Sequence, residues 1–371
     1  MTFTPTALWV VPVPDFGGVA RHVVDMARAG LPGFNLVVLA PEGKLTNRLK
    51  EMGVSVIRAD FGPDYGFKTS FASLTRAVEQ LRPEIVHSHL AYADVVAAAV
   101  VNTLRARHLV QRALWVPRLV TTEHGIAGND AVYHGTSWRS KLMETVHRMR
   151  LWGTDQAIAV SRSTAEQMRA KWGARNVELV YNGVDIPEVA AAVAAQRVPA
   201  KGSPRVLSLS RLSPEKGVDV LLDAFAQLRH EYPQAHLEIA GSGDLASELQ
   251  AQAKRLNLGD RVTFSGFVNP VEAMRRNDMI VQLSVWENCS YTLLDAKAAG
   301  LKTVATAVGG NPEILSADEL VDRSNAQLTD EVLQVMRRQL TNSTSESFTW
   351  ISNEQMAAQT VEIYARLLER K

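Results

Sequence analysis

The sequence is poor in several features that mark special classes of protein. Of its 371 residues only Cys289 is a cysteine, which excludes an internal disulfide and any metal site built from several cysteines. The 40 lysines and arginines balance 39 aspartates and glutamates, so no overall field attracts a polyanion and nucleic acid is disfavoured as a partner. The longest apolar runs, such as residues 95–101, are far shorter than the ~20 residues of a membrane-spanning helix. We therefore expect a cytoplasmic protein.

A regular alternation of apolar runs and helical segments extends along most of the chain. The runs are rich in β-branched residues and lack polar alternation, which is typical of strands buried on both faces of a parallel sheet. Such alternation predicts doubly wound α/β domains. The predicted strands are residues 7–13, 35–39, 54–57, 85–89, 118–123, 156–160 and 177–180, followed by 205–210, 236–240, 261–266, 279–283 and 302–305.

The alternation is interrupted once, at an alanine- and proline-rich stretch that we interpret as a linker with one short helix, residues 187–204. We therefore predict a first Rossmann-like domain at residues 1–186 and a second at 205–352. The final helix, residues 353–371, lies outside the second alternation and is expected to pack back on the first domain. Ligands of open parallel sheets bind beyond the carboxyl ends of the strands, so two such domains are expected to face each other across a cleft.

Two glycines, Gly17 and Gly18, come shortly after the first predicted strand, where a helix begins. Glycine lets the backbone approach a ligand closely, and the N–H groups at the start of a helix attract an anion. An ordinary turn between a strand and a helix explains the pair equally well. By itself this segment therefore favours neither interpretation.

A second segment, residues 211–217, follows the first strand of the second domain. Pro214 and Gly217 bracket a loop that presents Arg211 and Lys216 at the strand end, where two cations can share one diphosphate. The alternative is a solvated loop with surface charges. The position of this segment at the expected ligand-binding edge of the sheet favours an anion site.

A third segment, residues 241–246, has the pattern G-x-G-x-x-A of a dinucleotide-binding fingerprint. That interpretation requires a carboxylate at the end of the next strand to bind a ribose, and the strand at 261–266 ends without one. A NAD-dependent oxidoreductase is therefore disfavoured. Ser242 and Gly243 are instead predicted to line a phosphate or a base.

A fourth segment, residues 286–295, follows the strand predicted at 279–283. Glu287 is expected in a loop and Asp295 about two turns along the next helix, whose first N–H groups would point at a phosphate. Acidic pairs at this spacing are common, so only the combination of strand, acidic loop and helix start favours a functional site. Since no Cys–His pattern is present, Cys289 is interpreted as a small apolar filler. The other residues of this segment predicted to contact a ligand are Asn288, Ser290, Tyr291 and Thr292.

Histidines follow two of the predicted strands of the first domain. His124 comes directly after the strand at 118–123 and before Gly125, which favours a position in the cleft. His87 and His89 share one face of a strand end, as a metal pair would, but no third ligand of fitting spacing accompanies them. A structural or substrate-facing role is therefore preferred for the pair. Because no acidic pair of the DxD type follows a strand either, no metal site is predicted.

Taken in order, these segments resemble those of the family 4 retaining glycosyltransferases, which have the GT-B fold of two Rossmann-like domains. The resemblance covers nearly the whole chain and includes two further segments, Tyr181–Asp185 and the glycine turn Gly309–Glu313. It implies that the first domain binds an acceptor and the second a nucleotide-sugar donor. The implied contacts are Arg211 and Lys216 with the donor diphosphate, Gly17 and Gly18 also near it, Glu287 with the donor sugar, Asp295 with the ribose, and His124 beside the transferred sugar.

Two positions depart from the family pattern. The family usually has glutamate where this chain has Asp295, which is shorter by one methylene group, so the ribose contact needs a small shift or a water. Asn288 to Ser290 replace a glycine-rich version, although their backbone amides remain available. Neither change removes the implied chemistry.

The implied reaction is transfer of a sugar from a UDP- or GDP-linked donor, without cofactor or metal, to a glycan or lipid-linked acceptor of bacterial surface polysaccharide or lipopolysaccharide synthesis. Two alternatives remain, a nucleotide-sugar epimerase and a catalytically silent scaffold of a polysaccharide assembly complex. Intact Arg211, Lys216 and Glu287 argue against the scaffold. Four cations within residues 138–152 also allow peripheral contact with the inner face of a membrane, although a solvated helix is the simpler interpretation. They are Arg139, Lys141, Arg148 and Arg150.

Overall fold

The computed structural model describes residues 4–111, 115–126, 137–195, 203–342 and 347–369, with the backbone alone at 110–111 and 137–144. The chain divides into two compact units. The first comprises Met1–Gly183 together with Ile351–Lys371, and the second comprises Val184–Trp350. Each unit is built around one parallel sheet, which confirms the predicted α/β class.

The first unit contains a seven-stranded parallel sheet in the order β3-β2-β1-β4-β5-β6-β7. Its strands are β1 Thr6–Val10, β2 Asn35–Ala40, β3 Ser55–Arg58, β4 Ile85–His89, β5 Arg118–Glu123, β6 Gln156–Ala159 and β7 Val177–Leu179. Its helices are α1 Gly18–Ala29, α2 Lys44–Glu51, α3 Gly66–Leu81, α4 Ala91–Gln111, α5 Ser137–Trp152 and α6 Arg162–Trp172. The strand order reverses between β1 and β4, so the loops after these strands lie at the position where doubly wound sheets bind ligands.

The two faces of this sheet explain the continuous apolar runs of the sequence. In β1 the side chains of Leu8 and Val10 pack on one face and those of Ala7 and Trp9 on the other, and all four are fully buried. Burial of each large apolar side chain contributes about 1.5–3 kcal/mol, and it leaves the strand ends as the accessible edge. The final helix of the chain packs against α1 on the Trp9 face.

The second unit contains a six-stranded parallel sheet in the order β10-β9-β8-β11-β12-β13. Its strands are β8 Arg205–Leu209, β9 His236–Ala240, β10 Val262–Gly266, β11 Met279–Gln282, β12 Lys302–Thr306 and β13 Leu320–Val321. The helices that follow α6 are α7 Ile186–Ala194, α8 Val218–Glu231, α9 Ala246–Arg255, α10 Pro270–Arg276, α11 Tyr291–Ala298, α12 Asn311–Ile314, α13 Leu328–Thr341 and, in the first unit, α14 Asn353–Glu369. β8 and β11 are neighbours although β9 and β10 separate them in sequence, so the loops after them meet.

Some local structure differs from the sequence pattern. The first part of the expected linker, residues 187–194, belongs to the helix α7. The start of α7 is capped by Asp185, which accepts from Glu188 N at 3.1 Å, and the helix packs on α10 and α11. Residues 196–202 of that linker lie outside the described residues. Residues 61–70 contain no predicted strand, and α3 begins among them at Gly66. Residues 127–136, after β5, lie outside the described residues.

None of the described helices is long and apolar enough to cross a membrane.

Candidate functional site

The loops that follow β8 and β11 bring Lys216 and Glu287 together. Lys216 Nζ lies 2.6 Å from Glu287 Oε1, and each side chain is 16% exposed. Ser284 donates to the same carboxylate oxygen at 2.8 Å, and Lys216 Nζ is also 3.4 Å from Ser284 Oγ. The carboxylate is therefore held by a cation and a hydroxyl at the carboxyl edge of the sheet, where the sequence predicted a ligand site.

Gly217 allows this approach of the two loops. It ends a short 3₁₀ turn, Pro214–Lys216, with φ of 61°, a backbone conformation that favours glycine. A Cβ atom at this position would lie 2.6 Å from the carbonyl oxygen of Leu283. The backbone of Val285 also donates to Glu215 O at 2.8 Å, which fixes the two loops to each other.

Arg211 lies on the same loop but is far more exposed than Lys216. Its side chain is 72% exposed and lies 3.2 Å from Glu215 Oε1. Burial alone would raise the pKa of Glu215, but hydrogen bonding from Ser213 and the nearby cations Arg211 and Lys216 hold that pKa below its usual value. Glu215 is thus ionised at neutral pH, and it orients Arg211 without removing the guanidinium from solvent.

The glycines of residues 241–243 are explained by packing. A Cβ atom at Gly241 would overlap the carbonyl oxygen of Ser210, and one at Gly243 would overlap that of Leu212. Leu212 N donates to Ser242 O at 2.9 Å, so the loop supports the segment that carries Arg211. Ser242 and Gly243 are themselves exposed at this edge.

The helix α11 begins at the same edge. Ser290 caps it by accepting from Leu293 N at 3.3 Å, and its hydroxyl donates to Gln282 Oε1 at 2.9 Å. Asn288 is buried in the preceding loop, whereas Tyr291 and Thr292 are half-buried in the first turn. Asp295 is buried one turn further along. The helix start therefore directs its dipole at the edge where Glu287 and Lys216 lie.

Two supports of Glu287 were not predicted from the sequence. Ser284 donates to its carboxylate, and Thr306 Oγ1 donates to Ser284 O at 2.6 Å. Gly309 adopts a φ of 56°, and a Cβ atom there would overlap the carbonyl oxygen of Glu287. The only signal for Ser284 was its place directly after β11, since a single serine has no diagnostic spacing. Gly309 belonged to a noted glycine turn, but its contact depends on the pairing of β11 with β12.

In the first unit, Gly17 and Gly18 form an open helix start. Gly17 is the N-cap of α1 and has extended backbone angles. A Cβ atom at either glycine would meet none of the described atoms within 4 Å. Packing within the described residues therefore does not require glycine here, unlike at Gly241, and the start of α1 is accessible to an anion.

His124 is half-buried and contacts a group of buried aromatic and imidazole rings. Its Nε2 lies 2.9 Å from His89 Nδ1, and the two rings stack with centroids 5.2 Å apart. Burial lowers the pKa of His124 well below its usual value, and His22 and His87 lower it further. His124 is therefore neutral at pH 7 and acts as a hydrogen-bonding group.

The two strand histidines behave differently from each other. His87 Nε2 lies 2.7 Å from Thr122 Oγ1, and its Nδ1 is hydrogen bonded to the hydroxyl of Tyr364 on α14. Trp9 Nε1 donates to the same hydroxyl at 2.9 Å. His87 thus has partners at both nitrogens and serves the core, whereas His89 points toward His124.

The cations of α5 do not form one basic face. Arg150 is fully buried and forms ion pairs with Asp94 of α4 and Glu123 of β5. Arg148 is exposed and donates to the carbonyl oxygen of Lys171 at 3.2 Å. The side chains of Arg139 and Lys141 lie outside the described residues. Arg150 therefore has a structural role, contrary to its inclusion among the cations expected to face a membrane.

Two known protein families match the chain, one over most of the first unit and the other over most of the second. The family described as Glycosyltransferase Family 4 matches residues 16–188, and that described as Glycosyl transferases group 1 matches residues 192–349. This chain belongs to the family 4-type glycosyltransferases. The family predicted from the motifs is thereby confirmed.

Relatives of this glycosyltransferase cover most of its length. One subunit of phosphatidylinositol N-acetylglucosaminyltransferase of Arabidopsis thaliana is 27% identical over 83% of the chain and 68% of that protein. Glycogen synthase of Mycobacterium tuberculosis is 26% identical over 81% of the chain and 77% of that protein. The first name refers to phosphatidylinositol and the second to glycogen, so similarity of sequence does not by itself define an acceptor.

Solved structures show the same fold. The transferase matches Anabaena HepE, crystallised in complex with UDP and glucose, with a TM-score of 0.74 and 20% identity. The match covers 99% of this chain and all of that chain. The transferase thus has the GT-B fold, as its motifs predicted.

Proposed function

We propose that this glycosyltransferase transfers a sugar from a UDP- or GDP-linked donor to an acceptor hydroxyl with retention of the anomeric configuration. The observation that carries the proposal is the Lys216–Glu287 pair at the carboxyl edge of the second sheet, with Arg211 on the same loop and the start of α11 beside it. Two cations and a helix N-terminus suit a diphosphate. The complex of HepE with UDP and glucose supports a nucleotide sugar as the ligand.

Charge stabilisation is the main contribution of these groups. Cleavage of the donor leaves an oxocarbenium-like sugar and concentrates negative charge on the departing diphosphate. Lys216 and Arg211 are placed to stabilise that charge, and the dipole of α11 adds to them. We propose that these cations perform the role that a metal ion has in other transferases.

In this proposal Lys216 binds two anions at once, the Glu287 carboxylate and a phosphate of the donor. Its ammonium group binds the Glu287 carboxylate and contacts Ser284 Oγ. An ammonium group has three donors, so Lys216 can donate to a phosphate oxygen while it keeps its contact with Glu287. Ser284 remains a second donor to Glu287 and holds its carboxylate in place.

We assign Glu287 to the donor sugar and favour attack on the same face as the leaving group. In that reaction the acceptor oxygen forms the new bond to the anomeric carbon as the bond to the diphosphate breaks, and the leaving phosphate takes the acceptor proton. A covalent intermediate on Glu287 is the alternative. Trapping of a glycosyl adduct on Glu287 with a slow fluorinated donor would favour that alternative.

The other proposed donor contacts lie at the same edge. Asp295 is assigned to the ribose. Its side chain is shorter than the glutamate usual in the family, and its burial restricts how far it can move toward the ribose. The remaining residues proposed to line the donor are Ser242, Gly243, Asn288, Ser290, Tyr291 and Thr292. In the first unit, the start of α1 at Gly17 and Gly18 is the proposed anion-binding element, and His124 is the proposed sugar-contacting group.

For the acceptor we propose a glycan or a lipid-linked sugar of a bacterial surface polysaccharide or lipopolysaccharide, reached in the cytoplasm or at the inner face of the membrane. The similarity to a transferase named for phosphatidylinositol supports a lipid-linked acceptor, and that to a glycogen synthase supports a glycan. Transfer assays with lipid-extracted and water-soluble acceptors would separate the two.

The donor site is tested by calorimetric titration of UDP, GDP and ADP into the wild type and Lys216→Ala. We expect one nucleotide to bind the wild type, and about 10- to 150-fold weaker binding to the variant, since a hydrogen bond to a charged group contributes about 1.5–3 kcal/mol. Lys254→Ala, at an exposed lysine of α9, is the matched control and should bind like the wild type. Equal binding to both variants, or binding of NAD alone, would contradict the proposal.

The stereochemical outcome is tested by NMR of the product. The anomeric configuration of the transferred sugar should equal that of the donor. An inverted product would exclude retention. Isomerisation of the donor sugar without consumption of any acceptor would instead identify an epimerase.

A further inference from the structure

We propose that His89 is a positioning residue of the transfer reaction, which fixes the proton of His124 on Nδ1 so that this nitrogen donates to an oxygen of the transferred sugar. This role rests on the proposed function, which assigns His124 to that sugar. His89 ends β4, and His124 directly follows β5, the neighbouring strand of the sheet. His89 Nδ1 lies 2.9 Å from His124 Nε2, so one hydrogen bond joins the two rings.

The hydrogen bond between the two rings contains a single proton. Burial lowers the pKa of His89 and that of His124 well below the usual value, so both rings are neutral at pH 7. A neutral imidazole has one N–H group and one bare nitrogen. Either His89 donates from Nδ1 and its Nε2 is bare, or His124 donates from Nε2 and His89 carries its own proton on Nε2.

The surroundings of His89 Nε2 decide between these two arrangements. This nitrogen is buried and has no hydrogen-bond partner in the part of the chain that the structure describes. A proton on it would form a buried N–H group without an acceptor, which is rarer in native proteins than an acceptor without a donor. His89 therefore carries its proton on Nδ1 and donates it to His124 Nε2.

The packing of His89 fixes the direction in which it donates. Its ring is fully buried and contacts those of His87 and Trp9, with centroids 4.4 Å and 4.5 Å away. His87 is itself held at both nitrogens, by Thr122 Oγ1 at 2.7 Å and by the hydroxyl of Tyr364. Rotation of the His89 ring would break its contacts with these anchored rings, so the direction of its Nδ1 is fixed.

His124 is thereby left with one defined donor. Because its Nε2 accepts from His89, its own proton is on Nδ1. None of the described residues accepts a hydrogen bond from this nitrogen, and the ring is half-buried. The ring of His22 crosses that of His124 at 71° with centroids 4.7 Å apart, which restricts rotation. His124 Nδ1 is therefore a donor with a fixed position for a ligand oxygen.

An uncharged donor suits the transferred sugar. The hydroxyl oxygens of a sugar accept hydrogen bonds, and the sugar becomes positively charged and oxocarbenium-like as the donor is cleaved. An imidazolium ring beside it would repel this developing charge, whereas a neutral N–H group orients an oxygen without adding a full positive charge. The role of His89 is thus to select the donating tautomer of His124 before the substrate binds.

The tautomer is tested by long-range ¹H–¹⁵N NMR of the histidine rings in the full-length protein without any nucleotide. The ring signals of His124 are identified by their loss in His124→Gln. We expect the proton of His124 on Nδ1. A proton on Nε2 would overturn the proposal. This measurement does not require that the protein bind or transfer a sugar.

Two variants of equal shape test the consequence for the reaction. Asparagine places an amide N–H group close to the position of a histidine Nδ1, and leucine has the same shape without a donor, so His89→Asn and His89→Leu form a matched pair. With UDP-glucose or GDP-mannose as the donor, the turnover number of His89→Leu should be about 10-fold below that of His89→Asn, the scale of one hydrogen bond. Both variants should bind the free nucleotide like the wild type in calorimetry, since Lys216 lies in the second unit.

The order of the two variants separates positioning from packing. Leucine fills an apolar site better than asparagine, so a merely structural role of His89 predicts the reverse order of activity. Equal turnover of the two variants, or higher turnover of His89→Leu, would overturn the proposal. Absence of nucleotide binding to the wild type would instead contradict the proposed function and would leave the tautomer of His124 as measured, so the two failures are distinguishable.

Discussion

At the scale of single residues, Arg211 and Lys216 show how burial separates two cations that the sequence treats alike. Both were predicted to hold the same diphosphate, but Arg211 is 72% exposed and Lys216 only 16%. Solvent screens the charge of Arg211, whereas the pair of Lys216 with Glu287 is largely shielded from water. We therefore expect Lys216 to contribute more to nucleotide binding than Arg211.

Glu287→Gln gives a prediction of opposite sign for binding and turnover. Removing the carboxylate charge frees Lys216 for phosphate, so the nucleotide should bind at least as tightly as to the wild type. The turnover number should fall about 100-fold or more, in the range found when one preorganised group of an active site is removed. Calorimetry and a transfer assay on the same preparation measure both effects.

Glu248→Gln is the control for Glu287→Gln, because Glu248 is an exposed glutamate of α9 and should change neither quantity. Weaker nucleotide binding to Glu287→Gln would show that the carboxylate organises the site before the donor arrives. An unchanged turnover number would show that Glu287 takes no part in the reaction.

Residue identities could be predicted where a short motif follows a strand, and contacts between distant residues could not. Lys216 and Glu287 were both singled out, but their contact joins loops that are 71 positions apart. The histidines show the same limit. His87 and His89 attracted attention by their spacing, yet the structure groups His89 with His22 and His124, which spacing cannot reveal.

At the scale of elements, Glu319 connects three parts of the second unit. It accepts from Lys297 of α11 at 2.8 Å and from the backbone of Ser316 at 3.0 Å, and it also hydrogen bonds Thr303 of β12. Burial alone would raise its pKa, but Lys297, Thr303 and Ser316 together lower it below the usual 4.5. The ionised form therefore fastens α11 to the edge of the sheet.

Glu319→Gln should lower the free energy of unfolding by about 1.5–3 kcal/mol at pH 7, the contribution of a hydrogen bond to a charged group. Since the pKa is depressed in the folded state, the stabilisation is present above pH 4.5 and is lost as the pH falls through the folded pKa. The difference between the variant and the wild type should therefore shrink on acidification. Urea unfolding at pH 7 and at pH 4 measures it.

Glu231→Gln serves as the comparison, because Glu231 pairs with Arg337 in an exposed position where an ion pair contributes about 0–1 kcal/mol. If Glu319→Gln were as mild as this variant at pH 7, the ionised form of Glu319 would not fasten α11.

Elements were predicted best where apolar runs are long. The strands of both sheets appear at the predicted places, except that β13, with two residues, is too short to leave a pattern. The start of α3 at Gly66 leaves no clear pattern either, because Gly62 and Gly66 are typical of a loop. Gly62 N donates to Ser70 Oγ at 3.1 Å, which joins the residues before α3 to its first turns.

At the scale of the whole molecule, Tyr364 joins the last helix to the first strand. It is fully buried, and its hydroxyl is shared by Trp9 and His87. Tyr364→Phe keeps the ring and leaves two buried nitrogens without their partner. We expect the free energy of unfolding to fall by about 2–6 kcal/mol, since each of the two orphaned polar groups costs about 1–3 kcal/mol.

Urea unfolding measures this change, with Tyr65→Phe as the control because Tyr65 is 40% exposed. The control should lie within about 0.5 kcal/mol of the wild type, as surface substitutions usually do. Equal stability of the two variants would show that the Tyr364 hydroxyl does not hold α14 in place.

The number of sheets and their α/β class could be predicted from the alternation of apolar runs and helical segments. The order of the strands within each sheet could not. Order depends on which strands neighbour each other, as with β8 and β11, and a single sequence contains no record of such pairs. The return of the final helix was suggested only by its position after the second series of strands. Its anchoring through Tyr364 involves residues 355 positions apart.

The packing of the last helix on the first unit also affects the order in which the two units are completed during synthesis. Residues 184–350 form a continuous unit, so the ribosome releases every part of it before the last helix emerges. The first unit begins earlier but lacks the cover of α14 over Trp9 until residues 353–369 leave the exit tunnel. Domains usually complete in the order of their synthesis. Here the N-terminal unit is completed last, and a released chain that ended at residue 350 would contain a complete second unit and an unfinished first one.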